Sequence, residues 1–245
     1  MTFPYLTTSW DDGHPLDFRI ADLLSKYGLT GTFYIPRHCQ TPTMSADQLR
    51  ELSRYFEIGA HTMHHVYLDG CVDEIARQEI EESKKWIEQT TGKPCPMFCP
   101  PGGKFNDKRL AQIAAAGFQA VRTVEMMSVA RPAARDGLLM MPTTLQANPH
   151  APTVYIRNIL KRRGKNLWLY LTKGRNPDWP TFAERLLKTA IARQGVFHLW
   201  GHSWEIEDAK QWKKLEDVLK MMSEVRTAAP CVTNSQVIAS LRAAA

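Results

Sequence analysis

The feature that most constrains this chain is an alternation kept from end to end. Short, continuously apolar runs are each followed by an amphipathic stretch, and a glycine often closes the pair. The runs at residues 5–10, 31–35, 57–60, 96–99, 118–123, 138–143 and 196–200 read as strands. Most lack strict polar alternation, as expected of parallel strands buried on both faces.

The segments between them carry helical periodicity. Ile20, Leu23, Leu24 and Tyr27 recur at i, i+3, i+4 and i+7 before Gly28. Residues 73–91 place Ile75, Ile80 and Ile87 on one side, with a Glu81–Lys85 pair and Gly92 after them. Leu110, Ile113 and Ala114 precede Gly117, and residues 182–194 precede Gly195. Trp212, Leu215, Leu219 and Met222 mark a C-terminal helix. Repeated strand–helix units predict a parallel α/β fold. Seven strands with no linker-like segment predict a single domain over residues 1–245 that closes like a barrel. Residues 142–180, rich in proline, asparagine and basic side chains, are expected to form an irregular basic insertion. Chemistry in such folds sits at the carboxyl ends of the strands.

Composition excludes several classes. With 44% hydrophobic and 23% charged residues, the 245-residue chain is ordinary for a globular protein and unlike a disordered or fibrous one. No run approaches the ~18 apolar residues of a membrane span. The first residues lack a basic stretch followed by an apolar one, so no signal peptide is expected, and a cytoplasmic location is. Five cysteines (Cys39, Cys71, Cys95, Cys99 and Cys231) show no paired spacing, which predicts neither a disulfide framework nor a zinc knuckle. The net charge of +6 is partly local, with Arg157, Lys161, Arg162, Arg163 and Lys165 clustered and Lys173 and Arg175 following. Trp168 and Tyr170 interleave with them, an arrangement open to a solvated face, an anionic substrate, a lipid headgroup or a nucleic acid.

Four strand ends hold the candidate chemistry. Ser9-Trp10-Asp11-Asp12-Gly13-His14 follows the first run. Two adjacent carboxylates reach one site only if the strand ends there, and Gly13 permits that turn. After the third run comes His61-Thr62-Met63-His64-His65, whose i, i+4 histidines fit one side of a helical turn and suit a metal. Adding Asp12 gives two imidazoles and one carboxylate with positions left for water and substrate. That set serves metal-assisted hydrolysis or non-haem iron oxygenation, and the α/β pattern favours hydrolysis. Cys99-Pro100-Pro101-Gly102-Gly103 forms a rigid turn after the fourth run. His202, after Gly201 at the end of the last run, lies where a general acid belongs, whereas His198 within the run is expected to be structural.

These motifs, in this order, resemble the polysaccharide deacetylases, also called the NodB-homology group or carbohydrate esterase family 4. Ser9-Trp10-Asp11-Asp12-Gly13 is similar to the family's T-F-D-D-G, His61-Thr62-Met63-His64-His65 matches H-[ST]-x-x-H, and residues 99–103 match R-x-P-x-G in part. The hydrophobic run ending in His202 is similar to the last motif. The resemblance implies a deformed (β/α) barrel and a divalent metal, zinc with cobalt or nickel as alternatives, held by Asp12, His61 and His65. It implies Asp11 as general base toward metal-bound water and His202 as general acid. A backbone N–H near Gly102 or Gly103 would stabilise the oxyanion. Cys99, Pro101, Gly102, Gly103, Arg122 and Trp204 are the expected substrate-binding residues.

Two departures stand out. Cys99 occupies the place of the family's arginine, which orients the base, and Arg122 at the next strand end is the candidate to replace it. No aspartate matches the partner of the catalytic histidine, for which Glu125 and Glu205 are candidates. His14 adjoins the site as a turn residue or substrate contact, Trp200 is expected in the core, and His64 and His150 have no assigned role. The expected substrate is an N-acetylated sugar: an oligosaccharide, a conjugate or a lipid-linked sugar, the last with transient membrane-surface contact. The alternatives are allantoinase-like or cyclic-imide ring opening on the same scaffold, and a basic nucleic-acid-binding protein.

Overall fold

The computed structural model describes residues 3–161, 164, 166–173 and 178–243. In chain order the first elements are β1 (Tyr5–Asp11), α1 (Asp17–Lys26), β2 (Thr32–Ile35), α2 (Ala46–Leu52), β3 (Glu57–Ala60) and α3 (Asp73–Thr91). Next come β4 (Met97–Phe98), α4 (Asp107–Ala115), β5 (Ala120–Arg122), β6 (Ala133–Arg135), β7 (Leu138–Met141) and β8 (Leu145–Gln146). The chain continues through α5 (Pro152–Lys161), α6 (Leu167–Lys173), α7 (Trp179–Ala192), β9 (Val196–Gly201), α8 (Ser203–Asp208), α9 (Trp212–Glu224) and α10 (Asn234–Arg242).

Each of the seven expected strands is present. Two short ones, β6 and β8, were not foreseen, because runs of two or three residues carry no periodicity. The strands form one sheet in the order β6-β7-β5-β4-β3-β2-β1-β9-β8, parallel except for β6 against β7. The sheet curls toward closure. β7 pairs with β5 on one flank, and three residues later β8 pairs with β9 on the other. Across that crossing Thr143 N donates to Glu125 O (2.8 Å) and Thr144 N to His198 O (2.9 Å). The stretch from β7 to β8 thereby bridges the two flanks of the deformed barrel.

Curling divides the core in two, since alternate strand residues face opposite ways. On β1, Leu6 and Trp10 join Phe33, Ile58 and Phe98 in the layer between sheet and helices. Tyr5 faces inward with Tyr34, Met97, Ala120 and Met141. The inward positions Thr7, Ser9 and Asp11 are polar, and each has a partner inside the barrel: Asn234, His198 and Arg122 respectively. At the amino ends of the strands, Asn234 plugs the interior, donating its amide to the Tyr34 hydroxyl (2.9 Å).

The stretch at 142–180 is more regular than the sequence suggested. It contains β8, α5 and α6, with Tyr155, Ile159 and Leu169 buried. Its apolar faces are short and interrupted by basic residues, which obscured the helical period. Arg162, Arg163, Lys165 and Arg175 lie outside the described residues.

Candidate active site

Register alone brings most of the candidate residues to one level. Trp10 lies opposite Gly201, so Asp11 and His202 leave their strands side by side. Ala60 lies opposite Phe98, and Phe98 opposite Val121, which aligns His61, Cys99 and Arg122 at the same end of the barrel. Strand β1 stops at Asp11, and Asp12 itself is left-handed (φ 79°), with Gly13 following (φ 63°). This turn lets both carboxylates face the site, at the strain expected of a non-glycine residue in that region.

Asp12 is the centre of the arrangement. Its Oδ1 lies 3.2 Å from His65 Nε2 and 3.5 Å from His61 Nε2, and its Oδ2 accepts from Trp204 Nε1 at 3.0 Å. Burial would raise the Asp12 pKa, but the two imidazoles overcome it and hold the carboxylate far below its usual range. His61 Nδ1 donates to Cys99 O (2.6 Å), which leaves Nε2, on the Asp12 side, as the nitrogen available to a cation. Asp12 Oδ1 is buried and accepts no hydrogen bond among the described residues. Two ring nitrogens and a bare carboxylate oxygen converging in a buried corner fit a divalent cation. Cys39 was not singled out, yet its thiol lies within 4.8 Å of the Asp12 and His65 donor atoms.

The histidine pair is not built on a helix, contrary to expectation. Thr62 and His65 are left-handed (φ 62° and 52°), and residues 61–67 form a loop. Buried Glu79 of α3 clamps it, accepting from Met63 N (2.8 Å) and His64 N (2.9 Å) and pairing with His64 Nδ1 (2.7 Å). His64 also stacks on His38, with ring centroids 5.3 Å apart. A glutamate fourteen or more positions away along a helix carries no local motif, so the clamp could not be read from the sequence.

Asp11 is held by Arg122. The guanidinium is fully buried, lies 5.2 Å from the Tyr34 ring and 4.9 Å from the Trp200 ring, and ion-pairs with Asp11 Oδ2. Arg122 thus reaches Asp11 from the barrel interior, in the place expected of the guanidinium that Cys99 lacks. Cys99 is likewise buried, with its thiol pushed well above its usual pKa by burial. Its thiol lies near Arg122, Asp11 and Asp12.

His202 faces both carboxylates, its Nε2 4.0 Å from Asp11 Oδ2 and 3.9 Å from Asp12 Oδ2. Its Nδ1 pairs with Glu205 Oε2 at 2.7 Å. Burial would lower its pKa, but Glu205 and the two aspartates raise it to about 9. Glu205, one helical turn on, is thus the histidine's partner, whereas Glu125 receives the Asn166 amide (3.4 Å). Gln146 donates to Glu205 (2.6 Å) and bonds to His150 (2.8 Å), which draws His150 into the network. His198 is structural as expected, between Ser9 Oγ (2.8 Å) and Pro142 O (3.1 Å), with burial and Arg122 lowering its pKa to about 3. His14 accepts from Leu16 N (3.1 Å), a turn role.

At the third motif Pro101 is buried, and Gly102 and Gly103 are both left-handed. A Cβ on Gly103 would lie 2.3 Å from a Val124 methyl. Gly103 N–H already closes a turn on Pro100 O (2.9 Å), which makes Gly102 the freer of the two oxyanion candidates. Gly102, Gly103, Gln146 and Trp200 border a cavity of about 500 Å³ whose far wall is α5. Trp200 is core-packed as expected, but its edge reaches this cavity.

Residues 2–121 match the polysaccharide deacetylase family model. Over 120 residues the chain is 32% identical to a peptidoglycan-N-acetylglucosamine deacetylase of Bacillus cereus, covering 47% of this chain and 54% of that one. It is 27% identical over 124 residues to a peptidoglycan-N-acetylmuramic acid deacetylase of Bacillus subtilis, covering 48% and 44%. The matched segments thus span about half the length of these relatives. The fold extends further. The chain superposes on a peptidoglycan deacetylase of Bacillus subtilis with a TM-score of 0.58 at 15% identity, covering 98% and 92%. It also superposes on a family 4 acetyl xylan esterase of Clostridium thermocellum, solved with a cobalt ion, with a TM-score of 0.58 at 14% identity, covering 96% and 91%. The amino-terminal half that carries Asp11, Asp12, His61 and His65, on a barrel that the solved relatives share along their length, belongs to the polysaccharide deacetylase family.

Proposed function

We propose that this protein is a metal-dependent hydrolase that removes the acetyl group from an N-acetylated sugar. The observation that carries the reading is the convergence on Asp12 of His61 and His65, with Asp11 on one side and His202 within 4.0 Å of both carboxylates. Asp12, His61 and His65 would hold the cation. When bound, a divalent ion there acidifies water and polarises the amide carbonyl.

The remaining work falls to the chain's own residues. Asp11, oriented by Arg122, takes the proton from the attacking water. The Gly102 N–H would donate to the oxygen that gains charge as the carbonyl becomes tetrahedral. His202, protonated through its pairing with Glu205, donates from Nε2 to the nitrogen as the C–N bond breaks. The products are acetate and a free amino sugar. Arg122 supplies the guanidinium that Cys99 lacks, so the altered third motif gives ring opening of imides no support.

The test is metal content of the wild type and His61→Ala after mild dialysis, with acetate release from chito-oligosaccharides beside ring opening of succinimide and allantoin. About one zinc, cobalt or nickel per chain, absent from the variant, with acetate released, supports the reading. No metal after zinc is added back, or turnover of only the cyclic substrates, overturns it.

A further inference from the structure

The net charge of this protein is concentrated in one place. Between Gly137 and Pro177 there are seven basic residues and no aspartate or glutamate. The rest of the chain holds 24 basic and 25 acidic side chains, net −1, against +6 for the whole. The same stretch also carries exposed apolar side chains. Of the nine large hydrophobic side chains exposed among the described residues, five lie on α5 and α6: Ile156, Leu160, Leu167, Trp168 and Leu171. Leu160 is 73% exposed and Trp168 54%.

These two helices are firmly seated from the other side. Tyr155, Ile159 and Leu169 are buried, and the Tyr155 ring packs edge-on against Phe182 of α7 (5.6 Å). The exposed row is therefore a second apolar face, one position along from the buried row, with Arg157, Lys161 and Lys173 beside it. At ten and seven residues, the helices are far too short to span a bilayer.

We propose that α5 and α6 dock on an anionic lipid surface, with the aliphatic side chains and Trp168 entering the headgroup layer and the basic residues meeting lipid phosphates. Apolar side chains and an aromatic on short surface helices, with Arg157, Lys161 and Lys173 beside them, are the combination that interfacial binding uses. A nucleic acid accounts for the charge but gives Ile156, Leu160 and Leu171 nothing to stack on, because base platforms are aromatic. A second copy would bring two patches of the same sign together. Docking also has a consequence for the site. Arg157 and Lys161 of α5 line the cavity that Gly102, Gly103 and Trp200 border, so its mouth would open at the headgroups. On the deacetylase reading, that position suits an N-acyl sugar carried on a lipid.

Flotation with phosphatidylcholine vesicles, with and without phosphatidylglycerol, tests the docking without requiring turnover. The expected result is binding to the anionic vesicles, weakened by salt, and at least about tenfold weaker for Leu160→Asp/Leu171→Asp. Both positions are exposed, so the variant should keep the wild-type circular dichroism and its activity on a soluble oligosaccharide. No binding to anionic vesicles, or binding that the variant leaves unchanged, overturns the proposal. So does a concentration-dependent dimer that the variant abolishes, or RNA binding tighter than vesicle binding. Vesicle binding without any deacetylation would leave the docking standing and remove the catalytic reading alone.

Discussion

Asp11 and Arg122 form a buried ion pair although three strands lie between the strands that carry them. At about 4.8 Å per strand, a flat sheet would hold their backbones roughly 19 Å apart, beyond the reach of one arginine. The pair exists because the sheet curls, and it sets the base of the site from across the barrel. Arg122→Ala is expected to lower kcat/KM by at least ~10²-fold, as when a catalytic base is disoriented. It should also cost about 3–5 kcal/mol of stability, because Asp11 is left buried and unpaired. Kinetics and urea unfolding of the same variant check both, and an unchanged kcat removes Arg122 from the machinery.

Glu205 holds the His202 pKa up, to about 9 in the absence of a cation. A bound cation would pull it lower, leaving Glu205 as the principal support. His202 must be protonated to act as an acid, so activity is present below its pKa and lost as pH rises through it. In Glu205→Gln the alkaline limb of kcat should therefore move to lower pH. Superimposable pH profiles would show that Glu205 does not tune the acid.

The loop bearing both histidines depends on Glu79, which accepts from two backbone N–H groups and pairs with His64. Glu79→Ala frees that loop. Zinc affinity, measured by competition with a chelator, should fall about 10–100-fold, the usual effect of losing a group that orients metal ligands. Unaltered affinity would mean that Thr62 and His65 keep their conformations unaided.

Asp17 is fully buried behind the site, and burial raises its pKa well above the ordinary 3.8. A raised carboxyl pKa contributes stability that is intact below pH 3.8 and lost as pH rises toward the folded-state value. Asp17→Asn carries no such loss. Its melting temperature relative to wild type should climb as pH is raised from about 4 to 7, and a difference that stays flat with pH would refute the buried-acid assignment.

Trp204 ties the carboxyl end of β9 to Asp12 through its indole N–H, at 3.0 Å. Trp204→Phe keeps the ring and removes the donor, so KM for sugar should change little while metal affinity shifts by less than about tenfold. A rise in KM with intact metal binding would instead place the indole against the substrate.

What the sequence determined by itself is local. Apolar runs and glycine stops located seven strands and five helices, and α3 falls at Asp73–Thr91 as its period required. The convergence of Asp11, Asp12, His61, His65 and His202 was legible because each lies at or just past the end of a strand, and parallel strands end together. Ser45 with Gln48 and Thr233 with Gln236 are capping boxes that open α2 and α10. Only tertiary structure could show that Arg122 meets Asp11, that Glu79 clamps the histidine loop, or that Glu205 rather than Glu125 partners His202. Those pairings depend on curvature and on side chains meeting across elements, and neither leaves a periodic trace in the chain. The helical turn expected for His61 and His65 failed for the same reason: spacing of four permits a helix, but a clamped loop satisfies it equally well.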